Sequence, residues 1–331
     1  MHAAWYDELG PADVVLKYGE QPTPETGPGE VRVKLFASGI NPSDVKLRTG
    51  LRQSMQYDRI IPNSDGAGIV DRIGEGVDSS WLGNRVWIYN GQRVGRAFGT
   101  AAEYIALDHD LVSDLPDHVS FEQGACLGIP CMTAHRALFA HGPLTEEMVV
   151  FVSGGAGAVG HYSIQLAKWM GARILTTVST PEKAQIAKDA GADVVINYKR
   201  EDVVDRVLSV TGGGGVDLIV DVDFGGNIAT SIEIIKNNGK ISVYASGGAE
   251  SPSLDVFPFM AKNVAIQFLV LNSCPLAARQ QAQSDIRRWL LESAAQHQIA
   301  GIFTLSDIAE AHKLVESGSK QGTVIIRPEN T

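Results

Sequence analysis

Alternation of apolar and polar residues marks the first third of the chain. Val31-Arg32-Val33-Lys34-Leu35 puts an apolar side chain at every second position, the pattern of a half-buried strand, and Gly27-Pro28-Gly29 turns the chain into it. Short segments at Gly66–Ile73, Arg85–Tyr89 and Ala102–Leu107, separated by glycine-rich turns, extend the pattern. They predict a compact, barrel-like, mainly antiparallel domain. Near Pro116 the period changes. Ser120 followed by Gln123 has the spacing of a helix capping box. Met148–Ser153 reads as an apolar strand, Val159–Met170 as a helix stopped by Gly171, and Arg173–Val178 as a strand. Thr180-Pro181 supplies the cap and first-turn proline of a further helix, ended by Gly191. Asp193–Asn197, Val216–Val222, Lys240–Tyr244 and Val264–Leu271 bring the strands of this region to six. Strands alternating with helices predict an α/β fold with a doubly wound parallel sheet. Later, Ile308, Ala311, His312 and Val315 share one helix face, and Gly322–Arg327 returns as a strand. The four glycines Gly212–Gly215 read as a turn.

A chain of 331 residues exceeds what one hydrophobic core organises, so two domains are expected. A formal charge of −10 argues against nucleic acid or an anionic membrane as partner. No segment has the unbroken apolar length of a membrane span, and Met1–Leu9 lacks the pattern of a signal peptide. Three cysteines, Cys126, Cys131 and Cys274, do not form a disulfide framework, which favours the cytoplasm.

Gly155-Ala156-Gly157-Ala158-Val159-Gly160 fits G-x-G-x-x-G and stands between an apolar strand and an apolar-faced helix, the context that dinucleotide binding requires. The first glycine permits a tight turn, the second lets backbone approach a pyrophosphate, and the third lets helix pack on strand. The helix N-terminus then offers its unpaired N–H groups to phosphate. An NAD site usually has an acid at the tip of the second strand. Here the strand ends Thr177-Val178-Ser179-Thr180, with no acid at Ser179. Lys183 lies in the first turn of the next helix, where the helix dipole disfavours a cation. A 2′-phosphate would account for it, so NADPH is the expected cofactor.

These residues, with Gly39-Ile40-Asn41-Pro42-Ser43-Asp44, Asp65-Gly66-Ala67-Gly68, Thr133-Ala134, Ile196-Asn197-Tyr198 and Ala311-His312-Lys313-Leu314, resemble the quinone oxidoreductase (zeta-crystallin-like) branch of the medium-chain dehydrogenase/reductases. The resemblance implies a Rossmann domain over residues 123–264 and a discontinuous GroES-like catalytic domain of residues 1–122 and 265–331, with the nicotinamide in the cleft. It implies that Lys183 and Tyr198 face the 2′-phosphate and that Asn41 and Thr133 lie near the nicotinamide. Ala245-Ser246-Gly247 and Phe268-Leu269-Val270 would line the cofactor. Homodimerisation near Val264–Leu271 is a further implication. Two departures stand out. The branch often has a tyrosine shortly after Asn-Pro, where this chain reads Val45-Lys46-Leu47-Arg48, and Asp221-Val222-Asp223 is richer in acid than the resemblance leads one to expect.

No metal is expected. The related zinc enzymes place Cys and His-Glu where this chain has Ser38-Gly39-Ile40-Asn41 and Ser64-Asp65. Cys126 and Cys131 lie in an apolar helical stretch and read as core thiols. Without a Lewis acid, alkoxide chemistry lacks support, whereas a quinone or enone delocalises the charge that hydride brings. The reading is therefore an NADPH-dependent quinone reductase. Asn41 is the candidate hydrogen-bond donor to the developing oxyanion and Tyr57 the candidate proton donor. Reduction of α,β-unsaturated carbonyls is the enzymatic alternative, and an NADPH-binding protein without turnover is the alternative from another class.

Overall fold

Strands β1 (His2–Trp5), β2 (Lys17–Glu20), β3 (Glu30–Ile40), β4 (Asp65–Ile73), β5 (Arg85–Ile88), β6 (Tyr104–Asp108) and β7 (Val112–Asp114) come first along the chain. There follow β8 (Val149–Val152), β9 (Arg173–Val178), β10 (Val194–Asn197), β11 (Val216–Asp221), β12 (Ile235–Val243) and β13 (Ala265–Phe268), then β14 (Ile299–Thr304) and β15 (Thr323–Arg327). The computed structural model describes residues 1–51, 54–93, 95–249 and 251–328. The chain divides into two units, one of Met1–Ile129 with His297–Thr331 and the other of Pro130–Gln296.

The continuous unit holds a six-stranded sheet in the order β10-β9-β8-β11-β12-β13, parallel throughout. This is the expected doubly wound arrangement, with the order reversing between β8 and β11. Strands such as Val149-Val150-Phe151-Val152 are apolar along their length because helices cover both faces of such a sheet. One core cluster joins Phe151, Leu175, Ile196, Ile219, Ile241 and Val243 from five neighbouring strands. Local signals set the helix ends. Thr180 Oγ1 accepts from the Lys183 N–H and Pro181 opens the helix Pro181–Asp189. Gly191 ends it with φ +107°, a conformation that a side chain would strain.

In the discontinuous unit a seven-stranded sheet runs β14-β15-β3-β4-β5-β7, with β6 also paired to β3. All its pairings are antiparallel except β14 with β15. Val31, Val33, Leu35, Val70, Val86, Ile88, Ile105 and Leu107 form one fully buried cluster. A second gathers Ile40, Ile61, Ala101, Ile308, Ala311, Val315, Val324 and Ile326 around the helix Ile308–Glu316.

The units change over at 129/130 and 296/297, whereas the sequence reading placed the changes at 122/123 and 264/265. Strand β13 pairs with β12, and the helix Leu276–Glu292 that follows stays with the continuous unit. That helix was not evident in the sequence. Its segment LAARQQAQSDIRRWLLE is mostly polar, and it buries only Ala282, Gln283, Ile286, Trp289 and Leu290. The 3–6-residue strands β1, β2, β7 and β14 were also too short to produce a clear period.

Candidate active site

The loop after β8 is turned by Gly154, whose φ of +69° is left-handed and costs glycine nothing. The positive-φ residue is thus one place before the fingerprint, not its first glycine. The Gly157 N–H donates to the Gly154 carbonyl at 2.9 Å and closes the turn. Strand β9 fastens it: Thr177 Oγ1 accepts from the Gly154 N–H and the Thr177 carbonyl from the Gly155 N–H, each at 3.1 Å. A Cβ on Gly155 would lie 2.2 Å from Thr176 Oγ1, and one on Gly160 would lie 2.4 Å from the Gly154 carbonyl. Packing within the protein therefore requires both. Gly157 differs: its Cβ would meet only the Gly154 carbonyl oxygen, at 3.2 Å. It caps the helix Ala158–Trp169 without a side-chain hydrogen bond. The N–H groups of Ala158, Val159 and Gly160 have no acceptor within the helix. Open backbone beside a positive helix end is an anion cradle.

Around it the strand ends are tied together. Ser153 Oγ donates to Asp221 Oδ1 at 2.8 Å, and the same oxygen accepts from the Asp223 N–H at 2.9 Å and Asn227 Nδ2 at 2.7 Å. Burial, reinforced by the charge of Asp221, holds the Tyr244 phenol well above its usual range. The extra acid noted in the sequence, Asp223, accepts from the Gly248 N–H at 2.7 Å. With Gly225 N–H donating to Ser246 Oγ at 3.0 Å and Phe224 N–H to the Ala245 carbonyl at 3.2 Å, it anchors the Ala245-Ser246-Gly247 segment. At the end of β13, Leu269 is buried and only Phe268 and Val270 are exposed. The Phe268 ring meets Phe224 edge-on at 5.4 Å.

Ser179 follows β9 directly, and the Tyr198 N–H donates to the Val178 carbonyl at 3.1 Å. This brings Ser179, Lys183 and Tyr198 to the neighbouring ends of β9 and β10. Tyr198 is half exposed, with the Lys199 ammonium 5.3 Å from its ring centre. Thr133 is half-buried in the helix Gly128–Phe139.

In the discontinuous unit, Asn41 stands at the head of the helix Pro42–Arg48 and is 4% exposed. Its side-chain Nδ2 donates to Asp65 Oδ2 at 2.7 Å and its backbone N–H to Asp44 Oδ2 at 2.8 Å. Ser64 Oγ donates to Asp44 Oδ1, and Arg93 pairs with that oxygen at 2.9 Å. Asp65 Oδ1 accepts from the Ile129 N–H at 2.8 Å. Burial first, then the charge of Asp44, pushes the Asp65 carboxyl up to about 8. The motif residue His312 serves this frame from the far end of the chain. Its Nε2 lies 3.1 Å from Asn63 Oδ1, Asn63 Nδ2 donates to Ser38 Oγ, and Ser38 Oγ lies 2.8 Å from Thr100 Oγ1. Full burial, with the nearby Arg48 charge, holds the His312 ring down to about 3, so it is neutral. Tyr57 is half-buried against the small cluster of Tyr6, Val15 and Ile60. The acid cluster of Asp44, Asp65 and Arg93 was missed in the sequence. Its two acids lie in motifs quoted above, but nothing there shows that they share a site.

Residues 158–289 match the family described as zinc-binding dehydrogenase, and residues 27–117 match the alcohol dehydrogenase GroES-like domain. The quinone oxidoreductase of Rattus norvegicus is 28% identical over 98% of this chain and 97% of its own. A mycobacterial protein solved in complex with NADPH superposes with a TM-score of 0.85 at 29% identity, covering 99% of this chain and all of its own. Escherichia coli quinone oxidoreductase, also complexed with NADPH, gives a TM-score of 0.85 at 25% identity over 99% of this chain and all of its own. The chain belongs to the quinone oxidoreductase family of the medium-chain dehydrogenase/reductases.

For this family member the word zinc in one matching description does not carry over. Both Asp65 oxygens already accept hydrogen bonds from N–H donors, and Ser38 and Ser64 supply no soft ligand. Among the described residues no group of three His, Cys, Asp or Glu side chains could hold a metal ion. Cys126 and Cys131 are buried, and burial raises both thiols above their ordinary range. No helix among the described residues is long and apolar enough to cross a membrane.

Proposed function

We propose that this oxidoreductase delivers hydride from NADPH to a quinone without using a metal. The observation that carries the reading is the open face of Gly157 beside the uncapped helix Ala158–Trp169, a place for a pyrophosphate. The backbone from Gly155 through Ala156, Gly157, Ala158 and Val159 to Gly160 would hold the phosphates. Ser179, Lys183 and Tyr198 would hold the adenosine 2′-phosphate. Ala245–Gly247, Phe268–Val270 and Thr133 would line the remainder. Bound NADPH supplies a hydride at C4 of its nicotinamide. Asn41 donates a hydrogen bond to the acceptor oxygen as it gains charge, and Tyr57 is the proposed proton donor. Compartment follows from the cysteines: three free thiols suit the cytoplasm.

Steady-state NADPH oxidation against a series of quinones and α,β-unsaturated carbonyls, with and without a chelator, tests this. Quinone turnover that survives chelation is expected. Turnover confined to enones would move the assignment to alkene reduction, and tight NADPH binding with no turnover on any acceptor would make the chain a binding protein.

Cofactor choice rests on Lys183. Lys183→Ala is expected to weaken NADPH binding by about 1–3 kcal/mol, the range of a charge-assisted hydrogen bond, and to leave NADH binding nearly unchanged. Isothermal titration with both cofactors measures this, and equal losses would remove Lys183 from the 2′-phosphate site.

A homodimer is part of the same proposal. Among the described residues β13 pairs with β12 on one side and with nothing on the other. Phe257, Met260, Phe268 and Val270 near this edge are 64–75% exposed. An apolar free edge favours pairing with a second chain. Phe257→Glu combined with Met260→Glu is expected to give monomers in sedimentation runs where the parent sediments as a dimer. A parent that sediments as a monomer would overturn this part.

A further inference from the structure

Two carboxylates, Asp44 and Asp65, lie buried within one hydrogen-bonded cluster, and the Arg93 guanidinium pairs with Asp44. Asp44 holds Arg93 at 2.9 Å and also accepts from Ser64 Oγ and the Asn41 N–H. Among the described residues Asp65 has no such partner: it takes Asn41 Nδ2 and the Ile129 N–H, and no cation lies within ion-pairing distance. Among the described residues the charged and titratable groups around it are Asp44, the more distant Arg93, and the Cys126 thiol, which burial keeps protonated. A buried carboxylate without a counter-ion is costly, so Asp65 is the member of the pair that takes up a proton.

The consequence falls on Asn41. If Asn41 steadies an oxygen that gains negative charge, a second negative charge 2.7 Å behind its amide opposes that charge at low dielectric. A neutral acid does not. It can also donate its proton to the amide oxygen, which frees the amide NH₂ for the substrate. The orientation of a side-chain amide follows the network around it. We propose that Asp65 is a positioning residue whose neutral form holds Asn41 ready for hydride transfer and whose ionised form does not. This rests on the reading of Asn41 given above.

The expected pH window follows from the raised carboxyl. Its value of about 8 places the loss of the working form on the alkaline side of neutrality. Quinone turnover by the parent, followed from about pH 6 to about pH 10, is expected to be flat and then to fall roughly tenfold per unit above about pH 8, as for a single ionisation. Asp65→Asn supplies an amide that donates to Asn41 and accepts from Ile129 at every pH. It is expected to retain turnover and to lose the alkaline limb. Infrared spectra give a readout independent of activity. The parent should show a protonated carboxyl band that disappears across the same window, and Asp65→Asn should lack it. Stability should move as well. The raised carboxyl contributes stability below its unfolded value of 3.8 that is lost as pH rises through about 8, so Asp65→Asn should exceed the parent in Tm most at alkaline pH.

A folded Asp65→Asn enzyme that keeps the alkaline limb, or that binds NADPH but turns over nothing at any pH, overturns the proposal. Asn41→Ala separates the two readings. If it leaves quinone turnover intact, the role of Asn41 fails. If it lowers turnover while Asp65→Asn leaves the pH profile unchanged, only the role of Asp65 fails.

Discussion

Gly157→Val is expected to give a folded protein that has lost binding of NADPH and NADH alike, by roughly 100-fold or more, about 3 kcal/mol. The expectation follows from where the side chain goes. A Cβ at 157 meets the protein only at the Gly154 carbonyl, 3.2 Å away, and φ there is −74°, which valine adopts readily. The strain inside the protein is therefore small, and the two methyls occupy the space left for phosphate. Gly160→Val is the contrast. Its Cβ would lie 2.4 Å from the Gly154 carbonyl and 3.0 Å from the Gly155 Cα, so the loop itself must move. Circular dichroism with cofactor titration separates the two. A folded Gly157→Val variant that binds NADPH as tightly as the parent would reduce the loop to a turn and send the search for the dinucleotide site elsewhere.

Gly68→Val is expected to be the most damaging single change in the discontinuous unit. Gly68 pairs with Leu35 across β3 and β4, and a Cβ there would lie 2.0 Å from the Lys34 carbonyl oxygen and 2.8 Å from Val33 Cγ1. The register between the strands already shifts on either side, between Arg32 and Val33 and between Leu35 and Ala37. Strand β3 cannot retreat, because it is also bonded to β6 and β15. Overpacking of this kind costs about 3 kcal/mol or more, a large share of the usual stability of a domain. Little soluble protein is expected, or a Tm lower by roughly 10 °C. A Tm within about 2 °C of the parent would show that β3 and β4 can separate without penalty.

The strand-helix alternation from Met148 onward was legible because strands buried on both faces are apolar throughout and their helices carry clear caps, as at Thr180-Pro181. The glycine fingerprint was legible for the same reason: its context is local. What could not be read was long-range. Gly66 and Gly68 stand out as a motif, yet only the structure shows that the Lys34 carbonyl leaves Gly68 no room for a side chain and that Thr100 and Leu35 crowd Gly66. Asp44 and Asp65 are 21 residues apart, and Arg93 lies 28 further on. No period or spacing brings the three together, because a strand, a helix start and a loop meet there only after folding. His312 is a sharper case. On its helix face it reads as core, and it is core, but its partner Asn63 is 249 residues away.

The discontinuous unit also has a timetable. Strand β15, whose Val324, Ile325 and Ile326 are wholly buried, pairs with Ser38, Gly39 and Ile40 of β3. A ribosome that has finished β3 must add more than 280 residues, the entire continuous unit included, before β15 exists to cover that edge. At about 5–20 residues per second the backbone groups beside Asn41 wait roughly 15–60 s without their partner strand. During that interval the nascent chain carries an open strand edge, the feature through which chains aggregate. The part of the protein that frames the candidate substrate site is thus the last to close, and it is where a chaperone would have most to protect.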